Sequence, residues 1–273
     1  MSHSDERPIG VFDSGVGGLT VAREIMRNLP NERIVYFGDT ARVPYGNRSK
    51  ETVIRYTRQI IRFLETQDVK AIVVACNTVS AVALETIRGE IDLPILGVVK
   101  PGARVAALAT NNKRIGIIGT RATVNSQIYE EFIQKQDPAI TIIGKACPLL
   151  VPLVEEGWLN DPVTVKVAAR YLKDLLEEGI DTLILGCTHY PLLRSLVQNI
   201  VGEKIMLVNP AYETAKALER LLKEQDLTSG GTMEEEFPYR FYVSDAEERF
   251  TEFANSILPY DVTMTRQISI EEY

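Results

Sequence analysis

Residues 183–191 read "LILGCTHYP": an unbroken apolar run that stops on Cys187 and turns polar within one residue. Apolar residues without alternation are what a strand requires when helices cover both faces of a parallel sheet. Such a strand delivers its last side chain, here a thiol, to the carboxyl edge of the sheet. The stretch "AIVVACNTVS" at 71–80 repeats the pattern, with Cys76 at the corresponding place.

Further apolar runs extend the rhythm on either side. Strand candidates lie at 9–12, 33–37, 71–75 and 94–99, and a second series at 114–119, 140–144, 182–186 and 204–208. Amphipathic segments separate them, including 50–66 and 163–178, the latter closed by Gly179 as a helix C-cap. The two series correspond at a nearly constant offset. Ile9 matches Ile115, Ile34 matches Ile140, Cys76 matches Cys187 and Pro101 matches Pro210. The expectation is an α/β fold of two similar lobes, with mainly parallel sheets related by an approximate twofold and the active site in the cleft between them. The predicted boundaries are 1–99 plus 210–273 for the first lobe and 100–209 for the second. Within the returning segment, 211–225 reads as a helix, 226–236 as a polar loop, 239–245 as a strand and 246–258 as a helix. The tail "RQISIEEY" at 266–273 reads as a frayed end.

Composition narrows the function. The chain of 273 residues is 45% hydrophobic, enough for a substantial core. No apolar stretch approaches the ~18–20 residues that span a bilayer, and "MSHSDERP" lacks an apolar signal region, so a cytoplasmic protein is expected. A net charge of −7 without a basic block argues against nucleic acid or an anionic membrane as partner. Three cysteines, two histidines and no C-x-x-C describe neither a disulfide framework nor a structural zinc site, and no metal is expected.

Ligands of parallel α/β sheets bind at the carboxyl ends of strands, beside helix N-termini. In this chain those ends carry "FDSGVGGL" (12–19), "GDTARVPYG" (38–46), "CNTVS" (76–80), "GTRAT" (119–123) and "CTHYP" (187–191). The glycines at 15, 17 and 18 permit a tight turn, but the spacing is not the dinucleotide fingerprint, and Asp13 would repel a pyrophosphate. Ser14, Asn77, Thr78, Thr120, Thr123 and Thr188 can each cap a helix; together with helix N-termini they suit a small carboxylate. Cys76 and Cys187 are expected in the first turn of a helix, one per lobe, where the positive end of the dipole favours a thiolate. Two thiols facing each other across a ligand suit inversion of a stereocentre that bears hydrogen, with a base on one face and an acid on the other. Asp13 and His189 stand where they can tune those protonation states. Cys147, in "KACPLL", has no symmetry partner and reads as core.

The segments "FDSGVGGL", "PYG", "ACNT" and "GCTHYP", in this order, resemble glutamate racemases of the cofactor-independent aspartate/glutamate racemase family, over roughly residues 8–258. The resemblance implies an isomerase without cofactor that supplies D-glutamate for peptidoglycan, hence cell-wall biogenesis and cell shape, and a homodimer. Cys76 would serve D-glutamate and Cys187 L-glutamate, assisted by Asp13 and His189, with Glu155 supporting the second site. Substrate would be held by Asp13, Ser14, Tyr45, Gly46, Asn77, Thr78, Thr120, Thr123, Thr188 and His189. "VNPA" at 208–211 departs from the Asp-Ser pair that many members carry there. The competing readings are an aspartate- or hydantoin-type racemase of the same fold and a non-catalytic two-lobed amino-acid-binding protein.

Overall fold

The computed structural model describes residues 4–230 and 238–273; His3 and the second half of the 226–236 loop lie outside them. Ten strands run in chain order: β1 Ile9–Asp13, β2 Ile34–Gly38, β3 Ala71–Val74, β4 Ile95–Gly97, β5 Arg114–Gly119, β6 Thr141–Ala146, β7 Thr182–Gly186, β8 Met206–Val208, β9 Tyr239–Val243 and β10 Thr265–Gln267. They form two wholly parallel sheets, of order β10-β9-β2-β1-β3-β4 and β6-β5-β7-β8. The order β2-β1-β3-β4 in the first recurs as β6-β5-β7-β8 in the second, so the chain repeats one topology in two α/β lobes.

Every residue of β1, β2, β3 and β7 is buried, because helices cover both sheet faces. Alternate residues feed different cores. Ile9, Val11, Tyr36 and Val73 pack with the helices Leu19–Asn28 and Pro210–Glu224. Phe12, Val35, Phe37, Ile72 and Val74 pack with the helix Lys50–Thr66. Helix starts carry their own stop signals. Ser49, Asp161 and Asn209 accept hydrogen bonds from Thr52, Val163 and Ala211 amides, and Pro162 and Pro210 fill first helical positions. "VNPA" is thus a helix start in which Asn209 is the cap. Gly179 follows the helix Pro162–Glu177 with a left-handed φ of 68°, as its reading as a cap requires.

Three local expectations change. The apolar run at 94–99 is strand only as far as Gly97, and Val99 already begins the helix Val99–Ala109. In the register, Ile115 faces Ile142 rather than Ile140, which keeps the same face but shifts the repeat by two residues. The C-terminal tail is not frayed. β10 pairs with β9, Ile270 is fully buried in the core beneath the helix Lys50–Thr66, and Tyr273 packs its ring 5.4 Å from Phe63. Short apolar residues among charges hid this docking, because their partners come from the first lobe.

Ile270→Ala removes a fully buried side chain and is expected to cost about 2–4 kcal/mol, read as a lower urea midpoint at unchanged slope. A variant as stable as the parent would restore the frayed-tail reading.

Candidate active site

The strand registers set the height of both thiols. Phe12 pairs with Val74, two residues before Cys76, and Ile118 pairs with Leu185, two residues before Cys187. Each sulfur therefore stands just past the strand that neighbours the central one, two residues beyond Val74 in β3 and one beyond Gly186 in β7. Both cysteines are 5% exposed.

Their supports differ. Cys76 is the N-cap of the short helix Asn77–Val82, and its Sγ donates to Ser14 Oγ at 3.5 Å. Cys187 is not in a first helical turn. It opens a turn closed by the Tyr190 amide on its own carbonyl, followed by the 3-10 helix Tyr190–Leu193, and an α-helix begins only at Arg194. Its Sγ lies 3.8 Å from His189 Nδ1, and His189 Nε2 lies 3.0 Å from Glu155 Oε1. The result is a Cys–His–carboxylate line within one lobe.

Electrostatics follow burial. Burial, reinforced by the charge of Asp13, pushes the Cys76 thiol up to about 12, although Ser14 and the Val79 amide oppose it. That rise disfavours ionisation by roughly 4 kcal/mol, whereas a helix end contributes about 0.3–1 kcal/mol. The expected dipole effect is present and loses. Burial also raises Asp13, against the charge of His189 and the amides of Gly18, Gly15 and Ser14. Its Oδ2 accepts from Gly15, and Oδ1 is buried without a hydrogen bond. Burial alone would lower His189, but Cys187 and Glu155 together raise it to about 10. Its hydrogen bond holds the Glu155 carboxyl below the usual range. The contact with Glu155 favours the protonated imidazole.

The remaining predicted residues divide. Thr78 and Thr120 hydroxyls meet across the lobes at 2.9 Å, and Thr120, the N-cap of the helix Arg121–Asn125, reaches Thr123 Oγ1 at 3.0 Å. Of the six proposed capping residues, only Thr120 caps a helix through its side chain. Gly46 lies so close to Thr120 that a Cβ would stand 2.9 Å from it. A Cβ on Gly17 would stand 2.4 Å from Thr188 Oγ1 and 2.5 Å from the His189 ring. Asn77 Oδ1 accepts from Tyr129 of the other lobe at 2.7 Å. Tyr45 turns inward: its hydroxyl donates to Asp39, which also binds Arg42 and Ser244, so what Tyr45 can offer a ligand is its backbone.

Four supporting residues escaped the sequence reading. Tyr36 donates to the Gly15 carbonyl at 2.9 Å and holds the glycine turn, Asp39 anchors the Tyr45 turn, Tyr129 orients Asn77, and Thr20 reaches the Thr188 carbonyl at 2.9 Å. Asp39 alone had a signal, its place in "GDTARVPYG"; the others act between segments remote in sequence. A cavity of about 920 Å³ opens between the lobes, with Gly15 and Val43 on one side and Glu155 and Leu192 on the other. Among the described residues no group of three or more His, Cys, Asp or Glu side chains is placed to hold a metal ion, and no helix is long and apolar enough to cross a membrane.

Known proteins match this chain along most of its length. The family profile described as Asp/Glu/Hydantoin racemase matches residues 9–218. A glutamate racemase of Syntrophus aciditrophicus is 51% identical over 251 residues, 92% of each chain. The crystal structure of a glutamate racemase isoform from Bacillus anthracis superposes with a TM-score of 0.92 at 38% identity, covering 98% of both chains. That of the Francisella tularensis glutamate racemase in complex with D-glutamate gives 0.90 at 38% identity, covering 98% of this chain and all of the other.

Because His189 is raised from 6.5 to about 10 in the folded state, the stability it contributes is complete below pH 6.5 and is lost as pH rises through about 10. The difference in thermal midpoint between the parent and His189→Asn should therefore be largest near pH 6 and shrink by pH 10.5. A difference that grows with pH would mean the imidazole is buried neutral.

Proposed function

The chain belongs to the Asp/Glu/hydantoin racemase family and is an isomerase, and from that premise we propose that it interconverts L- and D-glutamate by a two-cysteine proton relay without a cofactor. The observation that carries the proposal is the pair Cys76 and Cys187, buried at equivalent strand registers of two repeated lobes. Glutamate, rather than aspartate or a hydantoin, is favoured by relatives that match along nearly the whole chain. That these relatives are glutamate racemases also argues against a non-catalytic binding protein.

L-glutamate would lie in the cleft with its Cα hydrogen toward Cys187, whose sulfur takes the proton. Cys76, held as a thiol by burial and by Asp13, delivers its proton to the opposite face. For D-glutamate the roles exchange. The His189 cation, 3.8 Å from Cys187 Sγ and backed by Glu155, is the counter-ion for a sulfur that carries charge during half of the cycle. On the other side, Asp13 is the carboxyl group nearest in role. The carboxylates of the substrate meet Ser14, Asn77, Thr78, Thr120, Thr123 and Thr188, together with the backbone of Tyr45 and Gly46. A Cα hydrogen is far less acidic than a thiol, so the barrier must be lowered by these fixed dipoles in a site closed to water.

The same proposal places D-glutamate in peptidoglycan synthesis. We also propose location in the cytoplasm and assembly as a homodimer, the latter from the family resemblance. We further propose lobe boundaries at 1–99 with 210–273 and at 100–209, supported by β9 and β10 joining the first sheet.

The test is incubation of the purified protein with L-glutamate in D2O, following optical rotation and deuterium at Cα. Racemisation with deuterium incorporation is expected. Cys76→Ala and Cys187→Ala should each lower its rate by roughly 10²–10⁴-fold or more, and Cys147→Ala should leave it nearly intact. No exchange from either enantiomer would sink the proposal, and damage confined to Cys147→Ala would move the site.

A further inference from the structure

The two thiols are anchored by different lobes, and this asymmetry identifies a residue that the reaction has not yet used. Cys76 is fixed within its own lobe as the cap of the helix Asn77–Val82. Cys187 sits in a turn whose amides at Tyr190 and Leu192 close on the Cys187 and His189 carbonyls. The carbonyl between these two, that of Thr188, is taken by Thr20 Oγ1 at 2.9 Å, across a sequence separation of 168 residues. Thr20 is fully buried in the first turn of the helix Leu19–Asn28, and its hydroxyl also lies 3.0 Å from the Gly17 carbonyl. Gly17 in turn abuts Thr188 and His189, with no room for a Cβ. One hydroxyl thus ties the glycine turn of the first lobe to the reactive turn of the second.

We propose that Thr20 is a positioning residue: a strut from the first lobe that holds the main chain of the turn carrying Cys187 and His189, so that the Cys187 half of the reaction depends on this one contact between the lobes. The inference rests on the racemase reading above. A main-chain carbonyl has no side chain of its own to hold it, and a displacement of about 1 Å at a reacting group can lower a rate roughly 100-fold. The segment after Cys76 is also tied across the cleft, Thr78 to Thr120 and Asn77 to Tyr129, but those are side-chain contacts that do not involve Thr20, and Cys76 itself is held by its helix and by Ser14.

Thr20→Val removes the hydroxyl at nearly constant shape, and Thr20→Ser returns it. Rates are measured with L- and D-glutamate, each with hydrogen or deuterium at Cα. Thr20→Val should slow racemisation roughly 10–100-fold. The deuterium effect should rise for the enantiomer whose proton goes to Cys187 and fall for the other, because the Cys187 step becomes limiting in both directions; Cys187→Ala identifies that enantiomer. Thr20→Ser should restore both rate and isotope pattern. In the ligand-free protein, alkylation of Cys187 by iodoacetamide, followed by mass spectrometry, should accelerate several-fold while Cys76 is unchanged. If Thr20→Val does not fold, Thr20→Ala, a better helix former, takes its place in both measurements. Equal changes in the deuterium effect for both enantiomers, parallel acceleration at both thiols, or an active parent unaffected by the substitution would each overturn the inference. A parent with no exchange at all would instead overturn the racemase reading.

Discussion

Lobe closure over the site depends on the absence of one Cβ. The backbone of Gly17 lies against Thr188 Oγ1 and the His189 ring at distances that no side chain of its own would allow. Through that approach the glycine turn of the first lobe packs on the turn that follows Cys187, and both thiols are buried, each 5% exposed. Burial then governs the electrostatics: it leads the causes that raise Asp13 and Cys76, and it works against the charge on His189. A separation larger by a few ångströms would restore solvent, screen Glu155 from His189 and remove most of these shifts.

Polar contacts cross the cleft as well, beside the apolar packing of the helix Pro210–Glu224 on the helix Val99–Ala109. Thr78 meets Thr120, Tyr129 meets Asn77, and Thr20 meets the Thr188 carbonyl. Each such bond contributes on the order of 1 kcal/mol net, since water would replace it on opening. A few contacts of that size hold the lobes together without preventing their separation. Such a balance suits a site that must admit and release a charged ligand yet exclude water in between.

The sheets and the two thiols were legible in the sequence because both leave local traces. Continuous apolar runs such as "AIVVA" and "LILG" can be satisfied only by burial on both faces, and their ends fix where a cysteine emerges. The residues after Cys187 left a misleading trace: a polar stretch beyond a strand suggests a helix N-terminus, but Pro191 and the Tyr190 amide set up a turn and a 3-10 helix first. The tail was misread because Ile268 and Ile270 are isolated among charged residues, and their partners come from β9 and the helix Lys50–Thr66. Thr20, Tyr36 and Tyr129 were silent for a deeper reason. Their hydroxyls act on segments 168, 21 and 52 residues away, and composition or period carries no record of such pairs. Tyr45 points its hydroxyl at Asp39, a choice that local sequence does not encode.

The unequal environments of the two thiols bear on reversibility. A proton relay cannot start from two thiols or from two thiolates, so one sulfur must be ionised and the other protonated at the start of each turnover. Here Cys76 faces an acidic neighbour that disfavours its ionisation, while Cys187 faces a cation that is itself held by Glu155. The repeat therefore supplies geometry, one thiol at each face, and the departures from the repeat supply polarity. Thr78 occupies the position that corresponds to His189, and a carboxylate at strand β1 has glycine as its counterpart at the end of β5. In the proposed reaction each turnover transfers the proton inventory from one sulfur to the other, so the enzyme must pass through the less favoured state once per round trip. The electrostatic difference between the lobes contributes to the barrier of that return, because it makes the two protonation states unequal in energy.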